Sequence, residues 1–218
     1  MFVSHACQLI IFPDPLGASL EQCQILHPWL DASATATWRD GHLYPDMPPR
    51  DALVKIQATH EAVSTYTKIA IVENPYKRLL RLYDRIVLKD PLWRLRRMAG
   101  IANPSFASWL EKTKTYGPGA GGFFCPAWQR FGAWSADQWS GGVIDHFVRA
   151  DSLTRDLQRV FRQMKVAPFL TPSTFQNDPD LYAALQRYDS HTSALIRDRY
   201  SFDLSIIQYQ KLHPVCAA

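Results

Sequence analysis

No apolar run in this 218-residue chain approaches the ~18 residues needed to cross a bilayer, so no membrane span is expected. Cysteine is sparse. The four thiols, Cys7, Cys23, Cys125 and Cys216, form neither a CxxC pair nor a Cys/His cluster with zinc-ligand spacing. That argues against a metal site and for reduced thiols in a cytoplasmic protein. The start, "MFVSHACQLIIFPDP", lacks the basic n-region of a signal peptide. Excess charge of one sign is also missing: 24 Lys and Arg against 20 Asp and Glu leave +4. That balance suits an anionic small ligand and is too weak to argue for nucleic acid. The Gly-dense stretch "YGPGAGGFF" (116–124) has no preceding strand and no following helix. It reads as a lid or connection, not as a phosphate loop. Repeats, low-complexity tracts and linkers are absent, which predicts one domain over residues 1–218. With 47% hydrophobic and 20% charged residues, a sizeable core is expected.

What is present alternates between two periodicities. "QLIIF" (8–12) and "YTKIAIV" (66–72) are short continuous apolar runs of the kind buried on both faces of a parallel sheet. "GGVIDHFVRAD" (141–151) reads as a third strand. The helical patterns are "SLEQCQILHPWL", "NPYKRLLRLYDRIVLK", "SFASWLEKT" and "SLTRDLQRVFRQM", with two more near the C-terminus. In the second of these, Asn74 is placed to cap the helix and Pro75 to occupy its first position. Residues 31–59 read as irregular, with "DGHLYPDMPPRD" as a loop. Strands alternating with helices predict an α/β fold: a central parallel sheet with helices on both faces.

In such sheets ligands sit at the carboxyl ends of the strands. Two turns qualify, residues 13–19 after the first strand and 73–75 after the second. The second leads into a helix carrying Lys77, Arg78, Arg81 and Arg85 on neighbouring turns. Glu73 is out of place there, a carboxylate where an anion-binding turn would offer positive charge or bare N–H groups.

"VENPYKRLLRLY" resembles "VRNPYERLVSAY", the motif with which sulfotransferases of the carbohydrate-sulfotransferase superfamily bind the 3′-phosphate of PAPS (3′-phosphoadenosine 5′-phosphosulfate). "FPDPLGASLE" is similar, without gaps, to the family's "IPKTGGTSLE" loop around the 5′-phosphosulfate. "SFASWLEKT", "HFVRADSLTRDLQRVFRQM" and "RYDSHTSALIRDRYSFDLSIIQY" resemble, in the same order, "SFEEFL", "FVGRFENLEEDLERLLKKL" and "YYDEETRELVEERYAEDFELFGY". The resemblance covers most of the chain. It implies a P-loop NTPase-like sulfotransferase fold, PAPS as donor and no metal.

Carried over by position, the donor-binding residues are Asp14, Gly17, Ala18 and Ser19 in the first turn and Glu73, Asn74 and Arg81 in the second. The departures concern charge. Asp14 stands where the family has lysine, Glu73 where it has arginine, and Arg81 where it has serine. Leu16 and Ala18 replace glycine and threonine. Like charges at ~4 Å repel by about 4 kcal/mol at an effective dielectric near 20, so two reversals would cost roughly three powers of ten or more in donor affinity. Arg81 allows two outcomes. Either it takes the phosphate while Glu73 turns away, or it pairs with Glu73 and the two plug the pocket.

Two functions stay open on these residues. One is a sulfotransferase moving a sulfuryl group from PAPS to a hydroxyl or amine of a sugar, peptide or small metabolite. His42 would be the base, and Arg78, Lys77 or Arg39 would replace the missing loop lysine. Trp128, Gln129 and Arg130 fall in the acceptor-side region. The other is an altered sulfotransferase-fold protein that does not use PAPS and binds a partner or a different ligand. Neither expects nucleic acid, and self-association as a homodimer is left open. Asp151 is expected to cap the following helix, and His146 to pack in the core.

Overall fold

The computed structural model describes residues 1–14, 16, 47–58, 61–88, 95, 98–113, 132–165 and 183–207. Four strands form one sheet: β1 (Phe2–Ser4), β2 (Leu9–Phe12), β3 (Thr67–Val72) and β4 (His146–Arg149), in the spatial order β1-β2-β3-β4. β2, β3 and β4 run parallel, with Ile11 opposite Ile69 and Ile71 opposite Val148. β1 runs antiparallel to β2, with Val3 opposite Ile10, so the sheet is mixed where an all-parallel one was expected. The hairpin between them needs a left-handed residue, supplied by Gln8 at φ 52°, whose N–H donates to the His5 carbonyl (3.2 Å). A three-residue edge strand closed by a Gln turn carries none of the usual Gly or Asn hairpin signals, which explains why the pattern did not show it.

Alternation along the strands feeds two cores. Leu9, Ile11, Ile69, Ile71 and Val148 pack against Leu153, Leu157, Val160 and Phe161. Those four lie along one face of the helix Leu153–Gln163. Ile10, Phe12 and Ala70 pack on the other side against Ala52, Leu53 and Ile56, with Trp139 beside them. Helices therefore cover both faces of the sheet.

The helix that carries Ala52, Leu53 and Ile56 is α1 (Pro49–Gln57), which lies in the stretch expected to be irregular. Pro49 at its first position makes a proline-rich loop also a helix start, and the apolar spacing 52, 53, 56 supplies its buried face. α2 (Pro75–Tyr83) begins where the sequence places it. Asn74 Oδ1 accepts from the Tyr76 N–H (2.9 Å), and Pro75 takes the first position. The helix widens into a π turn over Asp84–Leu88.

α3 (Phe106–Lys112) is capped by Ser105, and α4 (Ala136–Ser140) by Ser135. α5 (Leu153–Gln163) follows β4 through a short 3₁₀ turn. Its capping position is Ser152, not Asp151. The acid that ties strand to helix here is Asp156, which accepts from the backbone N–H (3.1 Å) and side-chain Nε (2.9 Å) of Arg149. α6 (Ser190–Arg199), opened by an Asp189–Thr192 capping box, and α7 (Ser201–Ile207) complete the described elements. α2, α3 and α6 share a third core built from Leu79, Leu82, Leu110, Tyr188, Ile196 and Tyr200. Among the described residues, no helix is long and apolar enough to cross a membrane.

Candidate functional site

β2 and β3 are adjacent and parallel, so their exits lie side by side. Asp14 follows the first and Glu73 the second. Both carboxylates are buried, at 4% and 7% exposure. Asp14 Oδ1 accepts from the Leu16 N–H (2.9 Å), a turn in which the side chain replaces a backbone acceptor.

The cation between these exits is Arg78. It projects from the first turns of α2 into the core and is 1% exposed. One guanidinium nitrogen, Nη1, donates to Asp14 Oδ2 (3.3 Å). The other, Nη2, donates to Asp203 Oδ1 (3.0 Å) and to the Trp134 carbonyl (2.8 Å). The Tyr200 ring lies 5.7 Å from the guanidinium carbon. Nε has no partner among the described residues. Burial by itself would lower the Arg78 pKa, but Asp14 and Asp203 outweigh it and hold the group charged. Burial pushes the Asp203 carboxyl up, opposed by Arg78 and by the Ala136 N–H that donates to Asp203 Oδ2 (2.9 Å). Arg78 thus joins β2, α2, α7 and the start of α4 through one side chain.

Glu73, buried beside this centre, pairs with Arg81, two turns along α2. The Arg81 side chain is 53% exposed. Burial, reinforced by the nearby Asp14 charge, raises the Glu73 carboxyl to about pKa 6, against the pull of Arg81, Arg78 and Lys77. Of the two outcomes open for Arg81, the structure shows the pair with Glu73.

No protein-family model, curated protein or solved structure matches the chain.

Of the residues singled out from sequence, Asp14 and Arg78 are in contact, Glu73 and Arg81 are in contact, and Asn74 serves as the α2 cap. Gly17, Ala18, Ser19 and His42 lie outside the described residues, as do Arg39, Trp128, Gln129, Arg130, the 19–30 helix and the 116–124 stretch. His146 is half-buried on β4. Asp203 was not foreseen. Its signal is an acid set between Phe202 and Leu204 in a terminal amphipathic helix, where burial requires a cationic partner.

A donor such as PAPS brings several negative charges. The described side chains around the strand exits offer three carboxylates, Asp14, Glu73 and Asp203, against two guanidinium groups and the Lys77 ammonium. Arg78 is enclosed and Arg81 is engaged. These residues do not fit a polyanion as they stand.

Proposed function

We propose that this chain is a sulfotransferase-fold protein whose donor cleft is closed by its own ion pairs, so that it binds a ligand or partner other than PAPS. The resemblance in sequence suggests the family. The observation that favours a closed cleft is the arrangement at the strand exits. Arg78 lies between Asp14 and Asp203, and Arg81 is held by Glu73. A donor phosphate entering there would face Asp14 and Glu73 and would have to displace both pairs.

A PAPS-dependent sulfotransferase is the second reading. It is favoured by the exposure of Arg81 and by a Glu73 carboxyl that ionises only near neutrality. In that reading the 3′-phosphate exchanges places with Glu73 on Arg81, and a sugar, peptide or small metabolite is the acceptor.

The two are separated by thermal unfolding of the full chain with 3′-phosphoadenosine 5′-phosphate, the donor's product. The first reading expects no stabilisation at about 1 mM nucleotide. Saturable stabilisation with micromolar affinity, about 2–3 kcal/mol at a hundredfold excess over Kd, overturns it in favour of the second.

A further inference from the structure

Large apolar side chains at the surface are few, and most of them lie together. Among the described residues six are exposed, and four of those, Leu88, Leu95, Met98 and Ile101, fall between residues 88 and 101. Leu95, Met98 and Ile101 are each more than half exposed, Met98 at 78%. A single exposed leucine is ordinary, but a concentration of this kind marks a surface that meets something apolar.

Leu88 closes the π turn that continues α2. Leu95 and Met98 are helical, and the Ala99 N–H donates to the Leu95 carbonyl (3.1 Å). Residues three apart on a helix stand on the same side, so Leu95 and Met98 are presented together. Gly100 ends the turn in the left-handed conformation, at φ 79°, and Ile101 follows it directly. Nothing lies within 4 Å of where a Gly100 side chain would sit, so no neighbouring element covers the turn at that point.

The sequence of the same stretch, "LKDPLWRLRRMAGI", carries Lys89, Arg94, Arg96 and Arg97 against Asp90 alone. Four cations and one acid leave +3 here, out of +4 for the whole chain. The mild net charge is therefore concentrated in one apolar stretch, with Trp93 inside it. Basic and apolar residues interleaved around a tryptophan are the composition of an element that lies in a membrane–water interface.

Two other occupants suit the surface less. A second copy would bring the same positive charge against it. A protein groove reads apolar anchors along several helical turns, at i, i+3, i+4 and i+7, and one turn is presented here. A bilayer requires neither a match in charge pattern nor a long helix. Its acyl boundary takes apolar side chains at shallow depth, and its anionic headgroups attract cations, each worth about fivefold in partitioning.

We propose that the exposed apolar surface of Leu95, Met98 and Ile101 docks on an anionic lipid bilayer. The proposal does not rest on the donor-cleft reading, because Asp14, Glu73, Arg78, Arg81 and Asp203 take no part in it.

The experiment is cosedimentation of the full chain with vesicles of phosphatidylcholine alone and of phosphatidylcholine with about 30% phosphatidylserine, in low salt and in about 0.5 M salt. Saturable binding to the anionic vesicles is expected, about tenfold or more weaker on the zwitterionic ones and weakened about tenfold by high salt. The double variant Leu95→Gln/Met98→Gln should weaken binding to anionic vesicles by about tenfold or more. It should melt like the parent, since both side chains are exposed and glutamine keeps the helix propensity of leucine and methionine. Undiminished binding by the double variant would place lipid binding on another basic surface and overturns the proposal. Binding to neither vesicle, or equally to both, also overturns it. Sedimentation velocity of the same two proteins completes the test. Concentration-dependent self-association that the double variant abolishes, without vesicle binding, makes the patch an interface between copies and overturns the lipid partner.

Discussion

Asp14 and Arg78, 64 positions apart in sequence, meet across the exits of two neighbouring parallel strands, with Asp14 Oδ2 3.3 Å from Arg78 Nη1. The contact reverses the sign expected of a phosphate-binding strand exit. It also gives a core arginine two anchors, because Asp203 holds the same guanidinium from the C-terminal helix α7. Removing a cation from such a centre leaves two buried carboxylates facing each other.

Replacing the cation is therefore the most damaging change at this centre. Arg78→Met should lower stability by about 3–5 kcal/mol, the usual loss when one partner of a buried pair is removed. Arg78→Lys should recover only part of it. An ammonium can reach one carboxylate but cannot span Asp14, Asp203 and the Trp134 carbonyl at once. Urea denaturation of the three proteins measures this. A loss below about 1 kcal/mol in the Met variant would mean the carboxylates have other partners.

Glu73 should make the protein more stable in mild acid than at neutral pH. Its folded pKa of about 6 lies above the ordinary 4.5, so the native state holds more protons than the unfolded chain between those values. Stability from this group then falls as pH rises through that window, by about 2 kcal/mol in total. Glu73→Gln should remove the slope and raise stability at neutral pH by about 1–2 kcal/mol, since the partner it abandons, Arg81, is half exposed. Denaturation curves between about pH 4.5 and 7 test it, and parallel slopes in the two proteins would refute the assignment.

Asp156 has the opposite sign. Burial would raise its pKa, but the hydrogen bonds and charge of Arg149 outweigh burial and lower it. Its contribution is complete above the ordinary 3.8 and is lost as pH falls through the lowered folded value. Asp156→Asn should cost about 1–3 kcal/mol at neutral pH, through the bonds to Arg149 and Ser152 Oγ. The difference from the parent should shrink as pH falls below the ordinary 3.8. An Asn variant as stable as the parent at neutral pH would show that the Arg149 bonds contribute nothing net.

The α2 start was legible because its determinants are local. Asn74 and Pro75 are the cap and first-turn residues that a helix requires, whatever surrounds it. The runs of β2 and β3 were legible because a short unbroken apolar stretch suits a strand buried on both faces, and the stripe of α5 because its helical period fixes the buried face. β1 and α1 were not. A three-residue edge strand has too few positions to show a period, and a proline cluster is as good a helix start as it is a loop. Asp203 escaped notice because its partner lies 125 residues away.

By itself, then, the chain determined its alternation of strand and helix, the reversed charges at positions 14 and 73, and an arginine at 81 open to a phosphate or to Glu73. Only the tertiary structure decided how those charges pair. Arg78 and Arg81 lie three residues apart on one helix, which turns them about 60° from each other. One guanidinium is sent into the core, where Asp14 and Asp203 neutralise it, and the other to the surface, where Glu73 takes it. Coulombic energy depends on distance and on local dielectric. Both are set by packing, and neither is written in the order of the residues.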